Sequence, residues 1–309
     1  MKQLNEPIPL SFLQYPGLRV AQAVARSMAV STVTQKIGRR VLEPLRQWYA
    51  AKNGDRQFLV SWDSDLKMNV RLNDQIECQV FWWGFQVGDR AALQALKRNL
   101  QSDAVVFDIG ANIGTFSLAL SRWVAPGGAV HAFEPVPSAY SRLQDNVARN
   151  GLTNVHLNQL ALSDERGTAA IFVPEQTYSG AIYNPGMSTM FAADTPGFRK
   201  EEIETSTIDD YVAAHDVKRI DAMKLDIEGA ELRALKGGVA AIERFRPVLV
   251  MEVNAKALSR AGTSVDELKE WLSELGYEFG IIEPGGHARI GYGPFSDGRH
   301  QNILCRPRA

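Results

Sequence analysis

From residue 104 onward the chain predicts a doubly wound α/β domain with a mostly parallel sheet. Two observations carry that expectation. Short apolar runs alternate with segments of helical periodicity, and helix caps and stop signals fall between them. Ala104-Val105-Val106-Phe107 reads as a first buried strand, and Phe116, Ala119, Leu120, Trp123 and Val124 follow it on one helical face. "PGG" at 126–128 ends that helix. "AVHAFE" (129–134) is the second strand, and Ser138 is expected to cap a helix running to the Asn150-Gly151 stop. "VHLNQLAL" (155–162) is the third strand, and "TIDD" (207–210) opens another helix as a capping box. "AMKLD" (222–226), a helix over 229–244 and "PVLVMEV" (247–253) supply strands four and five with their crossover. Ser264 with Glu267 caps a further helix, and "FGII" and "QNILC" offer closing strands. Ligands of such sheets sit beyond the carboxyl ends of the strands, at the switch point.

The first hundred residues read as an extension made of a helix and a β-hairpin. Residues 1–52 hold eight lysines and arginines against two acids, and Val30, Val33, Ile37, Val41, Leu45 and Trp48 recur at helical spacing, with Pro44 expected to kink or restart the helix. Residues 19–48 therefore admit two readings. One is a helix packed by that stripe on its own domain. The other is a basic amphipathic helix resting on an anionic membrane. The stripe lacks the aromatic density of an interfacial helix, which favours packing. "RQFLVSW" and "LKMNVRL" form the hairpin, and Trp82 and Trp83 either pack it down or line a substrate cleft.

Composition narrows the function classes. The 309 residues are 45% hydrophobic and 22% charged, enough for a substantial core. A net charge of −1 argues against a general nucleic-acid binder. Two cysteines, Cys78 and Cys305, have no metal spacing, and neither a membrane span nor a signal-peptide pattern is evident. The expectation is a soluble, cytoplasmic protein.

"FDIGANIG" (107–114) lies on the first carboxyl-end loop of the expected sheet. Gly110 and Gly114 would let the backbone approach a ligand, and the helix opening near Thr115 would point free N–H groups at a carboxylate or phosphate. The spacing is G-x-x-x-G, not the dinucleotide G-x-G-x-x-G, so a merely tight turn is the plain alternative. Glu134 strengthens the ligand reading. It ends the second strand, where an acid accepts both hydroxyls of an adenosine ribose, or alternatively caps a helix.

Taken together, "FDIGANIG", "AFEPVP", "ALSD" (161–164), "MKLDIEGAE" (223–231) and "MEV" (251–253) resemble the FkbM family of S-adenosylmethionine-dependent methyltransferases, over about residues 100 to 255. The resemblance implies the Rossmann-like class I methyltransferase fold, a seven-stranded sheet whose last strand runs antiparallel, over residues 101–309. It implies O-methylation of a hydroxyl on a sugar, glycolipid or other natural product. It assigns Asp108, Gly110, Asn112 and Gly114 to the methionine end of the cofactor and Glu134 to its ribose. Leu162 and Ser163 fall beside the adenine, although Leu162 equally suits an ordinary core.

Methyl transfer from a sulfonium requires alignment of the acceptor hydroxyl, exclusion of water and, for an aliphatic alcohol, a base. Asp226, ending strand four, is the leading candidate base, with Glu228 and Glu252 beside it. Glu228 also suits a helix N-terminus and Glu231 a solvated helix face. His131, inside strand two, reads as a core histidine. Asp226, Glu252 and Asn254 would offer three oxygens to a Mg²⁺, but hydrogen bonding to substrate hydroxyls needs no ion and is preferred. The aperiodic stretch 174–206 is expected to fold over the cleft as a lid, with Tyr178, Tyr183 and Ser188 contacting a saccharide. A catalytically silent cofactor-binding module is the alternative from another class. Nucleic-acid methylation is disfavoured, because strand four ends "LDIE" rather than in the Pro-Pro-aromatic clamp for a flipped base.

Overall fold

The structure is a computed structural model that describes residues 8–9, 15–29, 32–54, 56–62, 65–86, 88–175, 177–192, 196–290 and 301–308. In chain order its elements begin with β1 (Ile8–Pro9), α1 (Pro16–Met28), α2 (Thr32–Asn53), β2 (Gln57–Ser61), β3 (Lys67–Arg71), α3 (Gln75–Trp83) and α4 (Asp89–Asn99). The alternating part follows as β4 (Val105–Ile109), α5 (Thr115–Trp123), β5 (Ala129–Phe133), α6 (Pro137–Arg149), β6 (Val155–Asn158), β7 (Ala161–Leu162) and β8 (Gly167–Pro174). Next come β9 (Thr177–Ser179), β10 (Ile182–Tyr183), β11 (Phe198–Ser206), α7 (Ile208–Ala214) and β12 (Ala222–Leu225). The chain closes with α8 (Glu231–Lys236), α9 (Val239–Phe245), β13 (Val248–Val253), α10 (Ala255–Arg260), α11 (Val265–Glu274), β14 (Tyr277–Ile282), β15 (Ala288–Ile290) and β16 (Gln301–Pro307).

Two compact units result. The first comprises residues 1–87 with 174–187, the second residues 88–173 with 188–309. The boundary near 100 expected from sequence moves to 87, because α4 packs Ala92, Ala95 and Leu96 against Val106, Phe116 and Leu304 of the second unit. The stretch 174–206 is likewise not one insertion. Its first half belongs to the first unit, and its second half is strand β11, whose buried Ile203 and Thr205 alternate with exposed charge.

In the first unit β2 and β3 form the expected hairpin, extended by β1. The "VFWW" cluster is not part of it. Asp74 accepts from the Ile76 and Glu77 N–H groups and starts α3, and Gly84 in the left-handed region ends it. Trp82 and Trp83 are buried as the core of this unit, Trp82 against Tyr49 and Phe81. Gln22 and Arg26 of α1 donate to the carbonyls that end α3. The predicted α2 stripe, however, is turned the other way. Ile37, Val41 and Trp48 are exposed, while Arg46 is buried, donating to Glu43 and contacting Cys78. Val30, and the side chains of Val33 and Lys36, lie outside the described residues.

The second unit holds an eight-stranded sheet in the order β15-β14-β16-β13-β12-β4-β5-β6. β6, β5, β4, β12 and β13 run parallel, and β16 inserts antiparallel to both β13 and β14. That is the expected sheet with one further edge strand, β15. Strand order reverses between β4 and β12, so their carboxyl ends define the switch point. Apolar clusters cover both faces: Phe107, Met223 and Leu249 with Ile208, Leu232 and Leu268 on one, and Val106, Ala222 and Val250 with Leu96 and Leu120 on the other.

Four local expectations change. Ser138 lies inside α6, which starts at Pro137 with Val136 as N-cap. The third strand splits. β6 stays in the main sheet, whereas β7 pairs with β11 in a small separate sheet with β8. The helix over 229–244 breaks into α8 and α9 at Gly237-Gly238, where a side chain at Gly237 would come within 2.0 Å of the Ser163 carbonyl oxygen. Glu231 is no solvated helix residue: it is 2% exposed and accepts from the Ile227 and Gly229 N–H groups, folding the turn after β12.

Candidate active site

The site is built at the carboxyl ends of β5, β4, β12 and β13. Strand register pairs Asp108 with Lys224, and strand alternation puts Asp226 and Glu252 further along the same face. A lysine within the four buried residues of β12 needs partners. Lys224 Nζ stands 3.6 Å from Asp108 Oδ1 and 3.6 Å from Asp226 Oδ2, donates to the Gly110 carbonyl at 2.9 Å, and lies 4.9 Å from the Phe116 ring centroid. Burial pulls its pKa down, but Asp226, Asp108 and Asp89 outweigh burial and leave it raised.

The glycine loop is shaped by its own neighbours. Gly110 has φ +81°, and a side chain there would strike the Asp226 carbonyl oxygen at 2.0 Å. Gly114, at φ +96°, is the N-cap of α5, and a side chain there would meet Leu143 and Leu118. The close approach that requires glycine is therefore to protein atoms, the plain tight-turn reading. Yet the loop leaves α5 with no side-chain cap and no acid in its first turn, so the first N–H groups of the helix stay open to an anionic group. Asn112 sits at φ +50°, and its N–H donates to Glu134.

Glu134 is 5% exposed and holds two loops together. One oxygen accepts from Asn112 N–H at 2.8 Å, the other from Val136 N–H at 2.9 Å. Burial raises its pKa to about 7 against those two bonds. Each carboxylate oxygen keeps a second acceptor position, which suits a vicinal diol. Asp108 is fully buried. Ser117 donates to its Oδ2 at 2.5 Å, its Oδ1 has no hydrogen bond, and burial raises its pKa. An open helix end, an acid with spare acceptor positions and a buried carboxylate oxygen that makes no hydrogen bond beside its ion pair with Lys224 are the features a nucleoside carrying an amino-acid tail would engage.

Three carboxyls crowd the tips of β12 and β13. Glu252 is hydrogen-bonded to Asp226, and burial together with the charges of Asp226 and Glu228 pushes its pKa well up. Burial and the neighbouring negative charge therefore favour the protonated form of Glu252, which suits its hydrogen bond with Asp226. Burial and Asp226 raise Glu228 to about 8, and its Oε2 is buried without a hydrogen bond. Thr189 Oγ1 donates to the Glu228 carbonyl, which brings the segment after Ser188 to this loop. Asp89, at the start of α4, joins the same field, raised to about 8 by burial and by Asp226.

Asn254 is the N-cap of α10, its Oδ1 accepting from the Lys256 and Ala257 N–H groups. That commits the oxygen which the metal reading needs. Leu162 is core, packed with Ile208 and Tyr211. Ser163 donates to Asp164 and receives backbone support from β11. Tyr183 belongs to the first unit, where its N–H donates to the Asn73 carbonyl. Tyr178 belongs to that unit too, and its side chain lies outside the described residues. A cleft of about 650 Å³ lies away from the strand tips, lined by His131, His156, Tyr211 and His215. His131 is buried there, bonded to Tyr211 Oη at 2.8 Å and lowered to about 4 by burial.

Sequence reasoning missed Lys224 and Asp89. A charged residue inside "AMKL" was a legible signal for the first. Nothing near Asp89 marks it, because only packing of α4 brings it in.

The sequence is similar to known methyltransferases. A family profile described as "Methyltransferase FkbM domain" matches residues 108–279. The 31-O-demethyl-FK506 methyltransferase FkbM of Streptomyces tacrolimicus is 34% identical over 160 residues, covering 45% of this chain and 60% of that protein. The hexuronic acid methyltransferase AglP of Haloferax volcanii is 27% identical over 249 residues, covering 77% and 93%. The chain thus spans about three fifths of the Streptomyces relative's length. Among solved structures, a methyltransferase FkbM from Methylobacillus flagellatus aligns with TM-score 0.44 and 19% identity over 67% of this chain and 44% of that one. No helix among the described residues is long and apolar enough to cross a membrane.

Proposed function

The chain belongs to the FkbM methyltransferase family, and from that premise we propose that it transfers a methyl group from S-adenosylmethionine to a hydroxyl of a saccharide, glycolipid or related small molecule. The observation that carries this reading is the convergence at one switch point of an uncapped helix start, Glu134 and the Asp226–Glu252 pair. The cofactor supplies an electrophilic methyl on a sulfonium. Gly114 and the first turn of α5 would take its carboxylate, Asp108 its charged amine, and Glu134 its ribose hydroxyls.

On this reading Asp226 is the base. Glu252 is hydrogen-bonded to the Asp226 carboxylate and Lys224 Nζ stands 3.6 Å from its Oδ2, two partners that hold the carboxylate in place. Asp226 would orient an acceptor hydroxyl and take its proton, while the hydroxyl oxygen bonds the methyl and the methyl–sulfur bond breaks to leave a neutral thioether. Glu228, with an unfilled oxygen, would bind a neighbouring hydroxyl. The relatives named for an FK506 derivative and a hexuronic acid support an oxygen acceptor on a polyhydroxylated molecule. Two buried free thiols, Cys78 and Cys305, fit a cytoplasmic setting.

Calorimetry with S-adenosylmethionine, paired with radiolabelled methyl transfer to a panel of saccharides and cell-extract fractions, tests the proposal. Wild type and Asp226→Asn should both bind the cofactor, and the variant should lose about 10²–10⁴ in rate. Activity should survive EDTA. Absence of cofactor binding removes the reading altogether. Binding without transfer to any acceptor leaves a silent module, and loss in EDTA restored by Mg²⁺ moves Asp226 and Glu252 to metal ligands.

A further inference from the structure

The first unit carries an apolar surface that the methyl-transfer reading does not use. On α2, Ile37, Val41, Pro44 and Trp48 fall within one narrow arc, and all four are exposed, Val41 at 66% and Trp48 at 52%. The opposite side of the helix is the packed one, with Arg46 and Ala50 buried. On α1, Val20 and Val24, four residues apart, are exposed in the same way. A monomer rarely leaves so many large apolar side chains along two helices without something to cover them.

Charge indicates the cover. Arg40 and Lys52 are exposed on the two flanks of this arc, and Lys52 Nζ lies 4.6 Å from the Trp48 ring centroid. The only acid on either helix, Glu43, is paired with Arg46. A second copy of this face would bring like charge against like. An anionic lipid surface satisfies both properties, because aliphatic side chains and a tryptophan enter the interface while long basic side chains reach the headgroups.

We propose that the exposed apolar face of α2 docks the protein on an anionic bilayer surface, lying in the interface without crossing it. Docking is independent of how the second unit performs chemistry. It reverses the packing expected of the stripe from sequence.

The test is co-sedimentation of the full-length protein with vesicles of phosphatidylcholine alone, or of phosphatidylcholine and phosphatidylglycerol in equal parts. Wild type should pellet with the anionic vesicles only, and less as salt rises. Val41→Ser with Trp48→Ser should weaken partitioning roughly tenfold or more, through lost apolar insertion. Arg40→Glu with Lys52→Glu should weaken it by at least about fivefold per charge. These side chains are exposed, so thermal melts should match wild type. The proposal is overturned if wild type ignores anionic vesicles at low salt, or if the substitutions leave partitioning unchanged. It is equally overturned if wild type sediments as a dimer that Val41→Ser dissociates, since a second copy then covers the face.

Discussion

Lys224 shows how one residue organises the site. It is the cation between Asp108 and Asp226, and it also holds the Gly110 carbonyl. Lys224→Met would leave a buried carboxylate without its counter-charge, so we expect a loss of about 3–5 kcal/mol in stability, read by urea denaturation. Cofactor affinity should fall with it, while Lys224→Arg should recover part of both. Glu134 and Glu228 set the pH response. Their folded pKa values, about 7 and about 8, lie above the ordinary value of 4.5. Between those limits the native state holds more protons than the unfolded chain, so stability falls as pH rises through that window, and raised Asp89 and Glu252 act in the same direction. The melting temperature of the ligand-free protein should therefore be higher at pH 5 than at pH 8.5, and Glu228→Gln should flatten the slope.

At the scale of elements, the turn after β4 and the turn after β12 are one construction. Gly110 lies against the Asp226 backbone, Asp226 N–H donates to the Ile109 carbonyl, and Glu231 folds the second turn from within. Gly110→Ala would meet a carbonyl oxygen in a left-handed conformation, and we expect it to cost about 3 kcal/mol or more. Because Asp226 moves with that contact, kcat should fall more than melting temperature alone explains. A variant with normal stability and normal turnover would show that the two turns are not coupled.

Across the whole molecule, the first unit borrows a piece of chain from within the alternating part. Ala181 N–H donates to Gln47 Oε1 on α2, and Tyr183 N–H donates to the Asn73 carbonyl. Residues 88–309 expressed alone should therefore expose the 174–187 segment, and aggregate or yield poorly. Replacing that segment with a short Gly-Ser linker should restore a soluble, cooperatively melting second unit. If the unmodified fragment melts as well as the linker variant, the segment does not depend on the first unit.

The five parallel strands of the main sheet with the helices between them in outline, the switch-point loop, Glu134 and the Asp226–Glu252 tips were legible in the sequence alone. Each rests on a local pattern: an apolar run, a cap, or an acid where a buried strand ends. Four things needed the tertiary structure. The stripe of α2 has the same period whether it faces in or out, and only the burial of Arg46 and Ala50 shows which side packs. β11 hides under exposed charge, since Ile203 and Thr205 are its buried positions. Asp89 reaches the carboxyl cluster from a helix distant in sequence. The glycines of the loop are demanded by neighbouring protein atoms, a contact made between segments more than a hundred residues apart, as at Gly110 and Asp226. Periodicity reports which residues share a face, and long-range packing decides what that face meets.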